Sequence, residues 1–109
     1  MPDLEMSAEE LRKKLAAREQ VYLLDVRADW EHQLARIADG PLVPMQELPQ
    51  RLAELKPPDG ASFVLYCHHG MRSRQAASFL RQAGFPQAQS LAGGIDHWSL
   101  AVDPSVPRY

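Results

Sequence analysis

Ser62-Phe63-Val64-Leu65-Tyr66-Cys67-His68-His69-Gly70-Met71-Arg72-Ser73 passes from the clearest strand of the sequence to the start of a helix within a few residues. Ser62 to Tyr66 is a compact apolar and aromatic run, the pattern of a strand buried on both faces. Beyond Ser73, the residues Ala76, Ala77, Leu80 and Ala83 share one helical face, and Gly84 supplies a C-terminal stop. Only Cys67 to Arg72 separate Tyr66 from a helix expected to begin near Ser73. A chain turning that tightly into a helix points several backbone N–H groups inward, and the helix dipole adds positive potential. A thiol at the rim of such a nest ionises readily, which makes Cys67 a candidate nucleophile. Gly70 lets the backbone turn, Arg72 supplies a permanent positive charge, and the Ser73 hydroxyl is placed to donate toward the sulfur.

Working outward, short apolar runs alternate with helical stretches. Val21-Tyr22-Leu23-Leu24-Asp25 reads as a second buried strand, and Leu42-Val43, bracketed by Pro41 and Pro44, as a short one. Ala88 to Leu91 offers a last strand and Leu4 to Met6 a first. Ser7 to Glu10 is a capping box, opening a helix from about Ala8 to Arg18. Ala28 to Leu34 predicts a short helix. Leu48, Leu52 and Leu55 predict another, ended by Pro57-Pro58-Asp59-Gly60. Gly93-Gly94 marks a tight turn before a short helix at Ile95 to Trp98. The tail, about residues 100–109, carries Pro104 and Pro107 and is expected to be extended. Such alternation predicts an α/β fold, a mainly parallel sheet with helices on both faces. Ligands of such sheets sit beyond the carboxyl ends of the strands, where Asp25-Val26-Arg27 and Cys67 fall.

The length of 109 residues suits one domain, 1–109. A net charge of -2 gives no global drive toward nucleic acid or anionic lipid. No apolar run reaches the roughly 20 residues of a membrane span, and Met1 to Arg18 lacks the apolar centre of a signal peptide, so a cytoplasmic location is expected. A lone cysteine permits no internal disulfide. Cys67-His68-His69 makes a poor metal site, because neighbouring side chains diverge and no spaced ligands complete the set. Neither metal nor cofactor is expected.

Three stretches together resemble the rhodanese (thiosulfate sulfurtransferase) family, most closely its single-domain bacterial type. They are Leu24-Asp25-Val26-Arg27 with Glu31, then Tyr66 to Ser73, then Leu91-Ala92-Gly93-Gly94-Ile95-Asp96-His97-Trp98. The likeness runs from about Leu4 to Trp98. It implies a sheet of about five parallel strands flanked by helices, and a mechanism in which Cys67 takes sulfane sulfur from a small anionic donor as a persulfide. The loop residues His68, His69, Gly70, Met71 and Ser73 would cradle that sulfur, with Arg72 beside it. Asp25 and Arg27 would support the loop from below. A thiol, cyanide or a sulfur-carrier protein would be the acceptor, since there is no second cysteine to discharge Cys67. One departure is that Ala35-Arg36-Ile37 stands where the family usually has Gly-His-Ile, in a segment that normally packs beside the active loop.

Other readings stay open on the residues alone. Cys67 can be a small hydrophobe ending a buried strand, and Arg72 a solvated helix residue. A cysteine-dependent phosphatase or arsenate reductase also uses Cys, an amide cradle and Arg. Those loops hold five residues between Cys and Arg, whereas four, His68 to Met71, lie here. A non-catalytic binding module on the same fold is the third reading. His32 and His97 carry no functional signal in the sequence, and Tyr66 and Trp98 read as core aromatics.

Overall fold

The computed structural model describes residues 2–109. Its sheet has four parallel strands in the order β1-β4-β3-β2: β1 (Glu5–Met6), β2 (Val21–Asp25), β3 (Ser62–Tyr66) and β4 (Ala88–Leu91). The helices are α1 (Ala8–Ala16), α2 (Asp29–Leu34), α3 (Leu48–Arg51), α4 (Met71–Gln82) and α5 (Gly94–Ala101). The central strand β3 shows why both faces must be covered. Phe63, Leu65 and Cys67 enter one cluster with Leu24, Leu48, Ala76, Ala77 and Leu80. Val64 and Tyr66 enter the opposite cluster with Leu11, Ile95 and Trp98. Alternation along one strand thus feeds two cores, one beneath α3 and α4 and the other beneath α1 and α5.

The expected fifth strand is reduced to a single bridge between Leu42 and Asp25. The Val43 amide donates to the Asp25 carbonyl, but Pro41 has no N–H to donate toward β2, and the Met45 amide turns to the Val26 carbonyl, so no ladder extends from the bridge. The predicted helix through Leu48, Leu52 and Leu55 is also broken: 3-10 turns at Met45–Glu47 and Leu52–Glu54 flank the four residues of α3. By contrast, Ser7 caps α1 as expected, its hydroxyl accepting from the Glu10 amide at 3.0 Å. The tail is not extended. α5 runs to Ala101, a turn closes from the Asp103 carbonyl to the Val106 amide, and Val106 is buried. Among the described residues no helix is long and apolar enough to cross a membrane.

Candidate active site

Cys67 follows β3 directly and is buried, 1% exposed. Its Sγ accepts hydrogen bonds from the amides of Gly70 at 3.1 Å and Ser73 at 3.3 Å. The helix begins earlier than the sequence suggests, at Met71, so both donors belong to its N-terminal end. What turns these amides toward the sulfur is the treatment of the loop carbonyls. The Cys67 and His68 carbonyls accept from the amides of Ile95 (2.9 Å) and Asp96 (3.1 Å) in the first turn of α5. Two glycines make that approach possible. A Cβ on Gly94 would overlap both of those carbonyls, and Gly70 has φ +106° with the Gly93 amide 3.2 Å from where its Cβ would stand. The Ser73 hydroxyl does not reach the sulfur as expected. It lies 2.7 Å from the Ser90 hydroxyl and donates to the Gly70 carbonyl at 3.3 Å, so it braces the loop while the Ser73 amide meets Sγ.

Beyond the end of β2, Arg27 is fully buried and fully engaged. It donates to both Asp25 oxygens, through Nε at 2.8 Å and Nη2 at 2.7 Å, and also to the Ala35 carbonyl and the Tyr109 hydroxyl. Burial works against a charge on Arg27, but the bonds it donates to Asp25 and Tyr109 outweigh this and hold the guanidinium protonated. His32 Nδ1 lies 2.8 Å from the second Asp25 oxygen. The Ala35-Arg36-Ile37 segment does pack here, but its contribution is the Ala35 carbonyl. Arg36 turns outward to Asp39 and the His32 carbonyl.

Arg72 is not a free cation. Its fork meets Glu31 with two bonds, Nη1 to Oε1 at 2.8 Å and Nη2 to Oε2 at 2.9 Å. Glu31 is buried and also accepts from the Ala28 amide and the Tyr109 hydroxyl. The bond from Arg72 pulls its carboxyl down to about 2; burial opposes this, and the Tyr109 and Ala28 bonds assist. Tyr109 therefore links two ion pairs, accepting from Arg27 Nη1 at 2.7 Å and donating to Glu31 at 2.6 Å. Burial, then the bond to Glu31, pushes its phenol up to about 12. Its ring also stacks on His68, with centroids 3.9 Å apart and planes at 6°. His69 covers another part of the His68 ring, at 3.9 Å and 30°.

Cys67, Gly70 and Ser73 thus come together around one sulfur atom. Asp25 and Arg27 do not touch the sulfur: Arg27 lies over the Tyr66 ring at the end of β3, and the pair is linked to the loop through Tyr109, Glu31 and Arg72. His68 and His69 give no hydrogen bond to Sγ, Met71 is 77% exposed, and no three His, Cys, Asp or Glu side chains form a metal-binding group among the described residues. Tyr109 and His32 carry no functional signal in the sequence, and Glu31 enters there only through the family resemblance. Nothing in a proline-containing tail signals that its tyrosine folds back to residue 68. For Glu31, its place in the first turn of α2 is shared with Asp29, so the sequence does not single it out.

Residues 7–101 match the rhodanese-like domain family. The chain is 37% identical over 102 residues to a sulfurtransferase of Allochromatium vinosum, covering 94% of each chain. It is 29% identical over 118 residues to the adenylyltransferase and sulfurtransferase MOCS3 of Arabidopsis thaliana, covering 95% of this chain but 25% of that protein. Among solved structures, the human single-domain sulfurtransferase TSTD1 superposes with a TM-score of 0.76 at 27% identity, over 92% of this chain and 98% of that one. A buried thiol held by helix-end amides, a parallel sheet carrying it and these likenesses agree: the chain belongs to the rhodanese-like domain family.

Proposed function

We propose that this protein is a sulfurtransferase that carries sulfane sulfur on Cys67, with thiosulfate or a similar small anion as donor. The observation that carries the reading is the cradle. The sole thiol of the chain lies at the carboxyl end of the central strand with two backbone amides donating to its sulfur. Such donors stand in for the hydration that a charged sulfur would lose on burial. The Cys67 thiolate attacks the outer sulfur of thiosulfate, the S–S bond of the donor breaks, and sulfite departs with its electron pair. The new Cys67 Sγ–S bond leaves a persulfide whose terminal sulfur is passed to a nucleophilic acceptor, restoring the thiolate. The two half-reactions make a double displacement. With one cysteine in the chain, the acceptor is external: cyanide in an assay, and a thiol or a sulfur-carrier protein in the cytoplasm.

Arg72, clamped by Glu31, presents its remaining positive edge as a fixed feature at the site rather than a mobile counter-ion. The four-residue spacing to Cys67 leaves a cradle sized for one sulfur rather than a tetrahedral phosphate. Mass spectrometry after incubation with thiosulfate tests the reading: one added sulfur atom on Cys67, removed by cyanide, is expected. Efficient aryl-phosphate hydrolysis with no sulfur uptake would replace it with a phosphatase.

A further inference from the structure

Residues 102–109 are tied down at successive points. The Ser99 hydroxyl donates to the Val106 carbonyl, Val106 is buried against Trp98 and Ile95, and Arg108 pairs with Asp96 at 2.9 Å. Asp96 sits in the first turn of α5, and its own amide holds the His68 carbonyl. This route delivers Tyr109 to a point where it touches both halves of the site. Its hydroxyl lies between Arg27 and Glu31, and its ring lies flat on His68, the residue next to the nucleophile. Its edge also meets Trp30 of α2, at 5.9 Å and 77°. The ring of His68 thus lies against both Tyr109 and His69.

We infer that Tyr109 is a positioning residue for sulfur transfer, its ring fixing the loop at His68 and its hydroxyl fixing the Glu31–Arg72 fork. The inference rests on the sulfurtransferase reading and divides one side chain into two separable tasks. The ring holds the segment from which the nucleophile and its amide donors project, so it governs turnover. The hydroxyl completes the donor set of Glu31 and so steadies the cation that faces an anionic donor, which governs thiosulfate binding.

Steady-state kinetics with thiosulfate and cyanide separate the tasks in intact protein. Tyr109→Phe keeps the stack and loses the hydroxyl; KM for thiosulfate rises about threefold while kcat holds, because a small displacement of a binding charge weakens capture without moving the nucleophile. Tyr109→Ala loses both, and kcat falls about tenfold as the loop loosens. Tyr109→Leu keeps apolar bulk but no flat ring. It is expected to match the alanine variant in kcat, and it serves where alanine does not fold. A folded Ala or Leu variant with wild-type kcat overturns the proposal, as does a Phe variant that loses as much kcat as they do. Iodoacetamide alkylation of Cys67 at fixed pH separates this failure from failure of the sulfurtransferase reading. Should the wild type take up no sulfur, loop positioning still predicts alkylation about fivefold faster in the Ala or Leu variant and unchanged in Phe, since loosening exposes a buried thiol. Equal alkylation rates in all three would remove Tyr109 from the loop's support.

Discussion

Strands β2 and β3 lie side by side, with Asp25 paired to Tyr66 at their carboxyl ends, yet the polar structures that follow them are of opposite kinds. After β2 comes full charge: the Arg27–Asp25 pair, sealed from solvent and bonded on nearly every side. After β3 comes a single sulfur held by neutral backbone donors. A buried ion pair is rigid because either partner alone would be stranded, so it suits a foundation. Preorganised amide dipoles can stabilise a transient charge without reorganising, which suits the chemistry proposed for this loop. Besides the pairing of the two strands themselves, the Arg27–Asp25 pair and the Cys67 loop are joined through the side chains of Tyr109, Glu31 and Arg72. Mutations after β3 should therefore act on chemistry, and mutations after β2 on stability.

The largest effect is expected at the reacting centre. Cys67→Ser should abolish thiosulfate:cyanide sulfur transfer while the protein stays folded, because a serine hydroxyl can still accept from the Gly70 and Ser73 amides. Circular dichroism and an activity assay on the same sample decide it. Substantial transfer by the folded variant would place the sulfur elsewhere.

At the foundation, Arg27→Met should cost about 3–5 kcal/mol of unfolding free energy in urea, since it strands the buried Asp25 charge. Activity per folded molecule should fall far less than in Cys67→Ser. A stable variant with lost turnover would reverse the division of labour between the two strand ends.

How far the sequence anticipates this arrangement follows from the range of each interaction. The Cys67 loop is legible because its determinants are adjacent: an apolar strand, a tight turn with Gly70, and a helix with a clear face. The two-sided sheet is legible from the same alternation. Leu42-Val43 misleads because its composition is strand-like, while Pro41 removes the donor that would extend the ladder backward and Met45 turns to the Val26 carbonyl. Arg72 is half legible. Its charge is evident, but the partner that binds it is 41 residues away. Tyr109 is invisible for the same reason carried further, 78 residues from Glu31, with no periodicity in the tail to point at the loop. Short-range patterns reveal the Cys67 loop, and long-range polar bonds build its support.

Arg72 tests the join between the two regions. Arg72→Ala should lower kcat/KM for thiosulfate about tenfold, and Arg72→Lys should recover part of it, since charge returns without the planar fork that fits Glu31. Equal kinetics in the alanine and lysine variants would mean that charge at this position does not assist the donor.

The smallest effect lies in the pH dependence of stability at Glu31. Its carboxyl ionises at about 2 in the folded protein, against an ordinary value of 4.5, chiefly through the bond from Arg72. A depressed folded value means that the native state holds the proton less tightly than the unfolded chain. The ionised pair therefore stabilises the fold fully above the unfolded value, and its contribution is lost as pH falls from about 4.5 toward 2. Arg72 is 39% exposed, so solvent screening reduces the contribution to about 1–2 kcal/mol. Glu31→Gln keeps the shape and removes the titration. In urea unfolding, the wild type should exceed the variant by that margin near neutral pH, and the gap should narrow steadily as pH falls from about 4.5 toward 2. Comparing the two proteins cancels the titration of every other carboxylate. A gap of constant size across the acid range would show that the loss comes from packing and hydrogen-bond geometry around the substituted amide rather than from the charge of Glu31, and the fork would then join the two strand ends by shape alone.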